Sequence, residues 1–476
     1  MKRAICLILL FIMLFGLTSC GKKESTNNFN DPIGADLPIS PTGSIYHVDA
    51  INGNDQTGEG TTTNPYKTLS KMLPLLHGGE QVLLYNGSYD DITFDHAKNQ
   101  PSAAFSDWIT FRAAPGKNPI VNKVYLHGDY LGLESWNGSF EMHVNLVGLT
   151  ITDGIVISNV NQVRVTNCVI NRIGPLDGSN ENLNKHGILI RRARSVTIEN
   201  CEITKVGTGI VVRGNDILIQ KNQIHDNTHD GINLTGCERV SIDGNQIYNL
   251  DDGIDDNVSN WGAHVDGIQI YMESDGKPVD ANRFITIRSN RIYHVEAMVL
   301  MLQNRDDIYN AHDWVIENNI FGGSAGFMIH GKFACKNFIF RNNSIVYVEN
   351  DQFNSRGRVV KCDNYATALP AYSSSSNVQI YNNIFCASGC RYNWIASNYT
   401  ARFDHNLYYL KNETTLNGNS PVLSTETPFA NPTKFDGVLT PNSLAINAGA
   451  TNGYTETDLY GTKRKSPPEI GAYEQP

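Results

Sequence analysis

The sequence predicts an all-β protein, a right-handed parallel β-helix with a short N-terminal capping helix. A six-residue phrase (apolar, two residues, Asn, one residue, apolar) returns along the middle two-thirds of the chain. A second phrase, Gly followed by alternating apolar residues, precedes most copies, and no amphipathic-helix period lies between them. The shortest steps between copies are 21 to 24 residues, and the longer ones read as one unit plus an insertion. A period of that length, carried by short strands, belongs to a stacked solenoid. Stacking places residues one repeat apart at roughly 4.8 Å, one strand spacing, so the repeat says which side chains can meet.

Taken in order, the chain opens with Lys2 and Arg3, an apolar run over 4–17, and Leu17-Thr-Ser-Cys20-Gly21. A charged start, a short apolar core and small residues before a cleavage point make a secretory signal, not a membrane span. Its ending resembles the bacterial lipoprotein signal, which implies removal of residues 1–20 and lipidation of Cys20. Residues 21–43 are polar and read as a flexible tether. The expected location is the cell envelope, lipid-anchored to the outer membrane, on its periplasmic or its outer side. No other stretch is long and apolar enough to cross a membrane. The domain proper is expected over 44–476.

Between 44 and 89 the pattern changes, through Gly53-Asn-Asp55, Asn64-Pro-Tyr-Lys-Thr-Leu-Ser70 and Gly79 to Tyr89, and resembles the opening of many secreted β-helix proteins. The resemblance implies a short helix at about residues 67–76 capping the first rung, which uncovered would present an unpaired sheet edge. The rungs follow. Gly187-Ile-Leu-Ile190, Gly209-Ile-Val-Val212, Gly231-Ile-Asn-Leu234, Gly267-Ile-Gln-Ile270 and Gly326-Phe-Met-Ile329 are strands with alternate residues inward. The Asn phrases (Asn222, Asn245, Asn290, Asn319, Asn343, Asn383) are corners whose amides are expected to form a ladder, since buried corner backbone needs partners. Cys168 and Cys201 stand where later copies have Asn and read as small buried fillers. Cys386 with Cys390, or either with Cys362, is the plausible bridge. The closing phrases Ser443 to Gly449 and Pro467 to Glu474 resemble the end of secreted β-helix proteins.

Lys+Arg 38 against Asp+Glu 48 gives a net charge of -10. That excludes a basic nucleic-acid footprint and leaves an acidic polymer as a partner only if a metal bridges the two. A monomer is expected. The acidic residues gather in one span: His229-Asp230-Gly, Asp251-Asp252-Gly-Ile-Asp255-Asp256, and His264-Val-Asp266-Gly. Asp230 and Asp252 are 22 residues apart, one repeat, and are expected at equivalent corners. Asp266 also precedes Gly-Ile, and its strand has the inward alternation that Gly253 to Asp256 lacks, so either phrase can head the rung. Stacked carboxylates repel. A hard cation such as Ca²⁺ relieves this by taking six to eight oxygens; proton sharing between a general acid and base also relieves it. A solvated acidic turn needs neither. Insertions on both sides of Asp266 become loops on one face, the walls of a groove. Trp261, Tyr271, Tyr293 and Trp314 are placed near it as possible sugar-stacking rings.

Two resemblances attach to these residues. Asp251-Asp-Gly-Ile-Asp255, one rung after Asn227-Thr-His-Asp230-Gly, resembles the calcium site of the family 9 polysaccharide lyases (pectate lyase L type). It implies Ca²⁺ held by Asp230, Asp251, Asp252 and Asp255. That family's base is a Lys, and the matching position holds Met328; the expected catalytic groups are therefore Lys332, His264 and Asp266, with Lys332 and His330 at the turn beyond the strand. His229, Gln269, Tyr271, Trp261 and His330 are expected to bind substrate. The weaker resemblance is to family 28 polygalacturonases, through Asn227 to Asp230, Asp251-Asp252 and His264, and it implies hydrolysis by paired Asp. The expectations are a calcium-dependent lyase of a pectin-like uronic-acid polymer, a hydrolase, or a non-catalytic glycan-binding surface lipoprotein.

Overall fold

The computed structural model describes residues 41–96, 105–128, 140–172, 185–253, 265–271, 281–303, 311–332, 335–355, 358–362, 375–387, 400–410 and 418–476. These residues form a right-handed parallel β-helix whose strands stack into two long parallel sheets, with one small antiparallel hairpin, Gln352–Ser355 with Arg358–Lys361, outside them. Pairing is in register from rung to rung. Ile188 lies on Ile155, Ile210 on Ile188, Ile232 on Ile210 and Ile268 on Ile232. The inward residues of both sheets make one continuous core of fully buried Ile, Val, Leu and, towards the C-terminus, Phe. This is the alternation the sequence displays, converted into a column of like side chains.

The corner between the sheets is built by two adjacent residues. The first is left-handed, as at Asn167, Asn200, Lys221, Gly244, Ser289, Asn318, Asn342, Asn382 and His405. The next carries the ladder. Asn222, Asn245, Asn290, Asn319, Asn343 and Asn383 each donate through Nδ2 to Oδ1 of the next Asn at 2.9–3.1 Å, and their backbone N–H donates to the same oxygen at 2.9–3.0 Å. The last acceptor is Asn406, a copy (Phe403-Asp-His-Asn406-Leu-Tyr408) that the sequence reading passed over. Cys168 and Cys201 occupy that column as buried free thiols. Cys386 is also a buried free thiol, Cys362 is buried, and Cys390 lies outside the described residues.

The cap is a short helix, Leu69–Met72, continued as a 3-10 turn, Leu73–Leu75. Thr68 caps it by accepting from the Lys71 N–H, and Asp55 accepts from the Thr68 hydroxyl at 2.7 Å. Leu69 and Met72 close the first rung. The expected tether boundary is slightly late, because the Gly43 N–H already donates to Gly79 O at 2.8 Å and Thr42 bonds Asp107. At the other end, Val422–Leu423 pairs with the strand Leu407–Leu410 as a last rung. The chain then returns along the outside of the second sheet, burying Phe429, Phe435, Leu439, Ile470 and Ala472 against Ile320, Val346, Ile384 and Leu407. Arg464 and Glu474, both fully buried, pair at 3.3 Å within that segment. It buttresses the flank as well as closing the end. No helix among the described residues is long and apolar enough to cross a membrane; residues 1–40, with Cys20, lie outside them.

Candidate functional site

The corner that follows the second-sheet strands gathers three carboxylates. Counting six residues on from the ladder Asn gives Thr228, Asp251, Glu296 and Ala325. Backbone bonds stack them in that order: Asp251 N–H donates to Asn227 O, Glu296 N–H to Leu250 O and Ala325 N–H to Val295 O. Asp252 follows Asp251 and its N–H donates to Glu296 Oε2 at 2.9 Å. Carboxylate oxygens of Asp251, Asp252 and Glu296 all lie within 4.8 Å of one another. Asp251 and Asp252 are buried, and Glu296 is partly exposed. Glu296 is the member that sequence reading missed, although it stands 45 residues after Asp251, the same step that separates Asn245 from Asn290.

The head of the inserted rung is Asp266, and the expected equivalence of Asp230 with Asp252 is corrected. The Gly231 N–H donates to Asp266 O, and the Asp266 N–H donates to Asp230 Oδ1 at 2.9 Å. The reason is visible in the glycines. A Cβ on Gly231 would sit 2.5 Å from both Gly267 O and an Ile247 methyl, so this column needs glycine for close stacking. Gly253 instead has φ +82, the left-handed region that favours glycine.

Asp230 and Asp266 are completely buried and form a polar line with their neighbours. Asn233 Nδ2 donates to Asp230 Oδ2 (3.1 Å) and to Gln269 Oε1 (2.5 Å), while Gln269 Nε2 donates to Asp266 Oδ2 (3.2 Å). The Met298 N–H donates to Asp266 Oδ1 at 3.2 Å. His229 Nδ1 lies 3.4 Å from Asp230 Oδ2 and 3.3 Å from Thr208 Oγ1. Burial raises the Asp230 pKa, but His229 and the bonds from Asp266 and Asn233 outweigh it and hold the carboxyl below its ordinary value. Asp230 therefore has its oxygens already engaged and is not one of the three converging carboxylates, and Asp255, the fourth expected ligand, lies outside the described residues.

The remaining expected residues separate. Tyr271 ends the strand Asp266–Tyr271, in register with Thr235. His264 and Trp261 lie outside the described residues. Lys332 and His330 are not at a turn, which corrects the expectation: the strand runs Phe327–Lys332, pairing His330 with Met301 and Lys332 with Gln303. The ladder runs on through Gly331, which pairs with Leu302. Lys332 is thus six positions past Gly326, roughly 20 Å along the strand from the corner at about 3.3 Å per residue. Trp314 is a core residue, fully buried with Nε1 donating to Asn282 O at 2.9 Å. Tyr293 sits on the second sheet in a stack with Tyr248 and Phe435.

A family model described as the right handed beta helix region matches residues 153–306. No curated protein sequence matches the chain. Among solved structures, the chain is similar to pectate lyase Pel9A at 13% identity and TM-score 0.43, covering 92% of this chain and 98% of that one. A rhamnogalacturonan lyase aligns at 12% and 0.45, over 75% and 86%. PfbA, a surface adhesin of Streptococcus pneumoniae, aligns at 14% and 0.44, over 78% and 86%. Likenesses at this level concern architecture, so the chemistry has to be argued from the site.

Proposed function

We propose that this protein is a secreted, lipid-anchored polysaccharide lyase that uses Ca²⁺ to cleave a uronic-acid polymer by β-elimination. The observation that carries the choice is the spacing of Asp251, Asp252 and Glu296, whose oxygens lie within 4.8 Å. One oxygen from each of three carboxylates meets the other two, an arrangement that suits a shared cation, whereas glycoside hydrolysis works with a pair, one acid and one base or nucleophile. The donor set fits Ca²⁺, because it is all carboxylate oxygen and supplies a large part of the six to eight ligands that ion takes. A bound Ca²⁺ at this corner would hold the substrate carboxylate and acidify the proton on the adjacent carbon.

The protein's own residues supply the rest. Asp230 and Asp266 fix the amides of Asn233 and Gln269, which serve as polar contacts for sugar hydroxyls along the groove. Asp266, enclosed and doubly bonded, holds Gln269 in place and does not react. Proton abstraction falls first to His264, which precedes Val265, whose carbonyl accepts from Ala297 N–H beside Glu296; Lys332 is the second candidate.

The test is product formation on polygalacturonate and alginate, followed as the absorbance of unsaturated ends. Lyase action predicts that signal, and saturated reducing ends without it would establish a hydrolase. Within a lyase, His264→Ala should lower kcat by at least about a hundredfold, the scale of a lost general base, while Lys332→Ala stays near wild type. The opposite pattern would return the role to Lys332.

A further inference from the structure

Three rungs before Asp230, on the same sheet, a cleft of about 160 Å³ is lined by Lys123, Asp153, Arg172, Lys185, His186 and Leu189 among others. It is smaller than the roughly 300–1,000 Å³ of drug-sized pockets, so it has room for one ring or one substituent. Three cations meet a single carboxylate here. Asp153 accepts from Arg172 at 2.7 Å and lies 3.4 Å from Lys123 Nζ, leaving an excess of positive charge. His186 Nδ1 is buried with no hydrogen-bond partner among the described residues. Its pKa is pushed down to about 4 by burial, by His229 and by Arg191, so near neutral pH the ring is uncharged and can donate or accept.

The cleft shares a strand column with the candidate site. Leu189 on its wall is in register with Val211, Asn233 and Gln269. Arg191 and Arg213 continue the positive line two residues along the same strands. On a chain of net charge -10 this is a local reversal of sign, and clefts lined by one sign of charge concentrate the opposite one.

We infer that this cleft is a metal-independent subsite for a carboxylate-bearing sugar unit, placed three to four rungs, roughly 15–20 Å, from the acidic corner. This rests on the lyase reading in that it names where a second acidic unit of the same polymer is held. Lys123 and Lys185 supply charge, Arg172 supplies directed N–H donors beyond those facing Asp153, and His186 contacts a ring hydroxyl.

The test is equilibrium binding to the full chain in excess chelator, which silences the acidic corner, with oligogalacturonate, oligomannuronate and neutral xylo-oligosaccharide as probes. The acidic oligomers should bind and the neutral one should not. Lys185→Met should weaken acidic binding at least about tenfold, worth about 1.4 kcal/mol, and Lys185→Arg should retain it. Lys123→Met provides a second variant should Arg172→Gln disturb the Asp153 pair. Equal affinity for neutral and acidic oligomers, no binding without metal, or binding unmoved by either Lys→Met change would overturn the subsite. The two readings fail separately: unsaturated product with charge-insensitive binding removes only this subsite, and Lys185-dependent binding without product removes only the lyase.

Discussion

Carboxylates of Asp251, Asp252 and Glu296 within 4.8 Å of one another repel, and part of that repulsion is stored in the folded protein until a cation screens it. Ca²⁺ that binds only the folded state adds about 2.7 kcal/mol at a hundred times its Kd. Asp252→Asn should therefore melt at or above the wild-type temperature in chelator and lose most of the Ca²⁺-induced rise. A wild-type melting temperature indifferent to both additives would remove the cation from this corner. Glu469 offers a second residue-scale test. Burial and then the neighbouring Glu474 outweigh the bond from Gln475 N–H and raise its pKa from 4.5 to about 7. A raised carboxyl binds more protons folded than unfolded between those values, so its contribution falls as pH rises from about 4.5 to 7. Glu469→Gln should gain melting temperature over wild type at pH 8 and little at pH 5; an equal offset at both pH values would contradict the assignment. At this scale Asp251 and Asp252 were legible from local sequence, whereas Glu296 was not. Nothing around Glu296 marks it, and only its distance from the ladder Asn shows that it meets Asp251. The roles given to Lys332 and His330 depended on where a strand ends, and a strand that continues through a glycine gives no local sign of doing so.

At the scale of elements, the Asn column is where pattern and physics coincide. Each amide from Asn222 onward satisfies corner groups of two rungs at once. Asn319→Ala would remove the acceptor of both the Asn290 N–H and Asn290 Nδ2 and the donor to Ile287 O. Asn290 Nδ2 keeps Ile242 O, so two buried groups are left unsatisfied at roughly 1–3 kcal/mol apiece, and a loss of about 2–6 kcal/mol is expected in chemical denaturation. A change below about 0.5 kcal/mol would mean that the ladder is not a stabilising element. The two Cys in this column show that the corner itself is set by the preceding left-handed residue, Asn167 or Asn200, and not by the amide alone. The cap helix was expected from the resemblance of residues 44–89 to the opening of secreted β-helix proteins, and the structure gives its local cause, Thr68 as the capping residue with Leu69 and Met72 buried.

For the whole molecule, a repeat read from sequence determined which sheet and which rung each segment joins, because every strand must fill the same column. It could not determine what happens between rungs. The inserted segment that separates Asp252 from Asp266 obeys no period, so which Asp heads the next rung required the stacking of Gly231 on Gly267. Net charge misled in the same way, averaging over a chain that carries an acidic corner and a basic cleft on one sheet. The aromatic residues also divided by packing, with Trp314 in the core and Tyr293 under the returning C-terminal segment. The account as a whole rests on one claim, that the Asp251–Asp252–Glu296 corner makes cleavage depend on calcium. It is tested most directly by the initial rate of unsaturated-product formation on polygalacturonate, in Ca²⁺ and in chelator, for the wild type and Glu296→Gln. The expected result is a wild-type rate that collapses in chelator and returns with Ca²⁺, and a folded variant at least about a hundredfold slower at the same Ca²⁺. Equal rates with and without chelator, or a Glu296→Gln rate matching wild type, would contradict it.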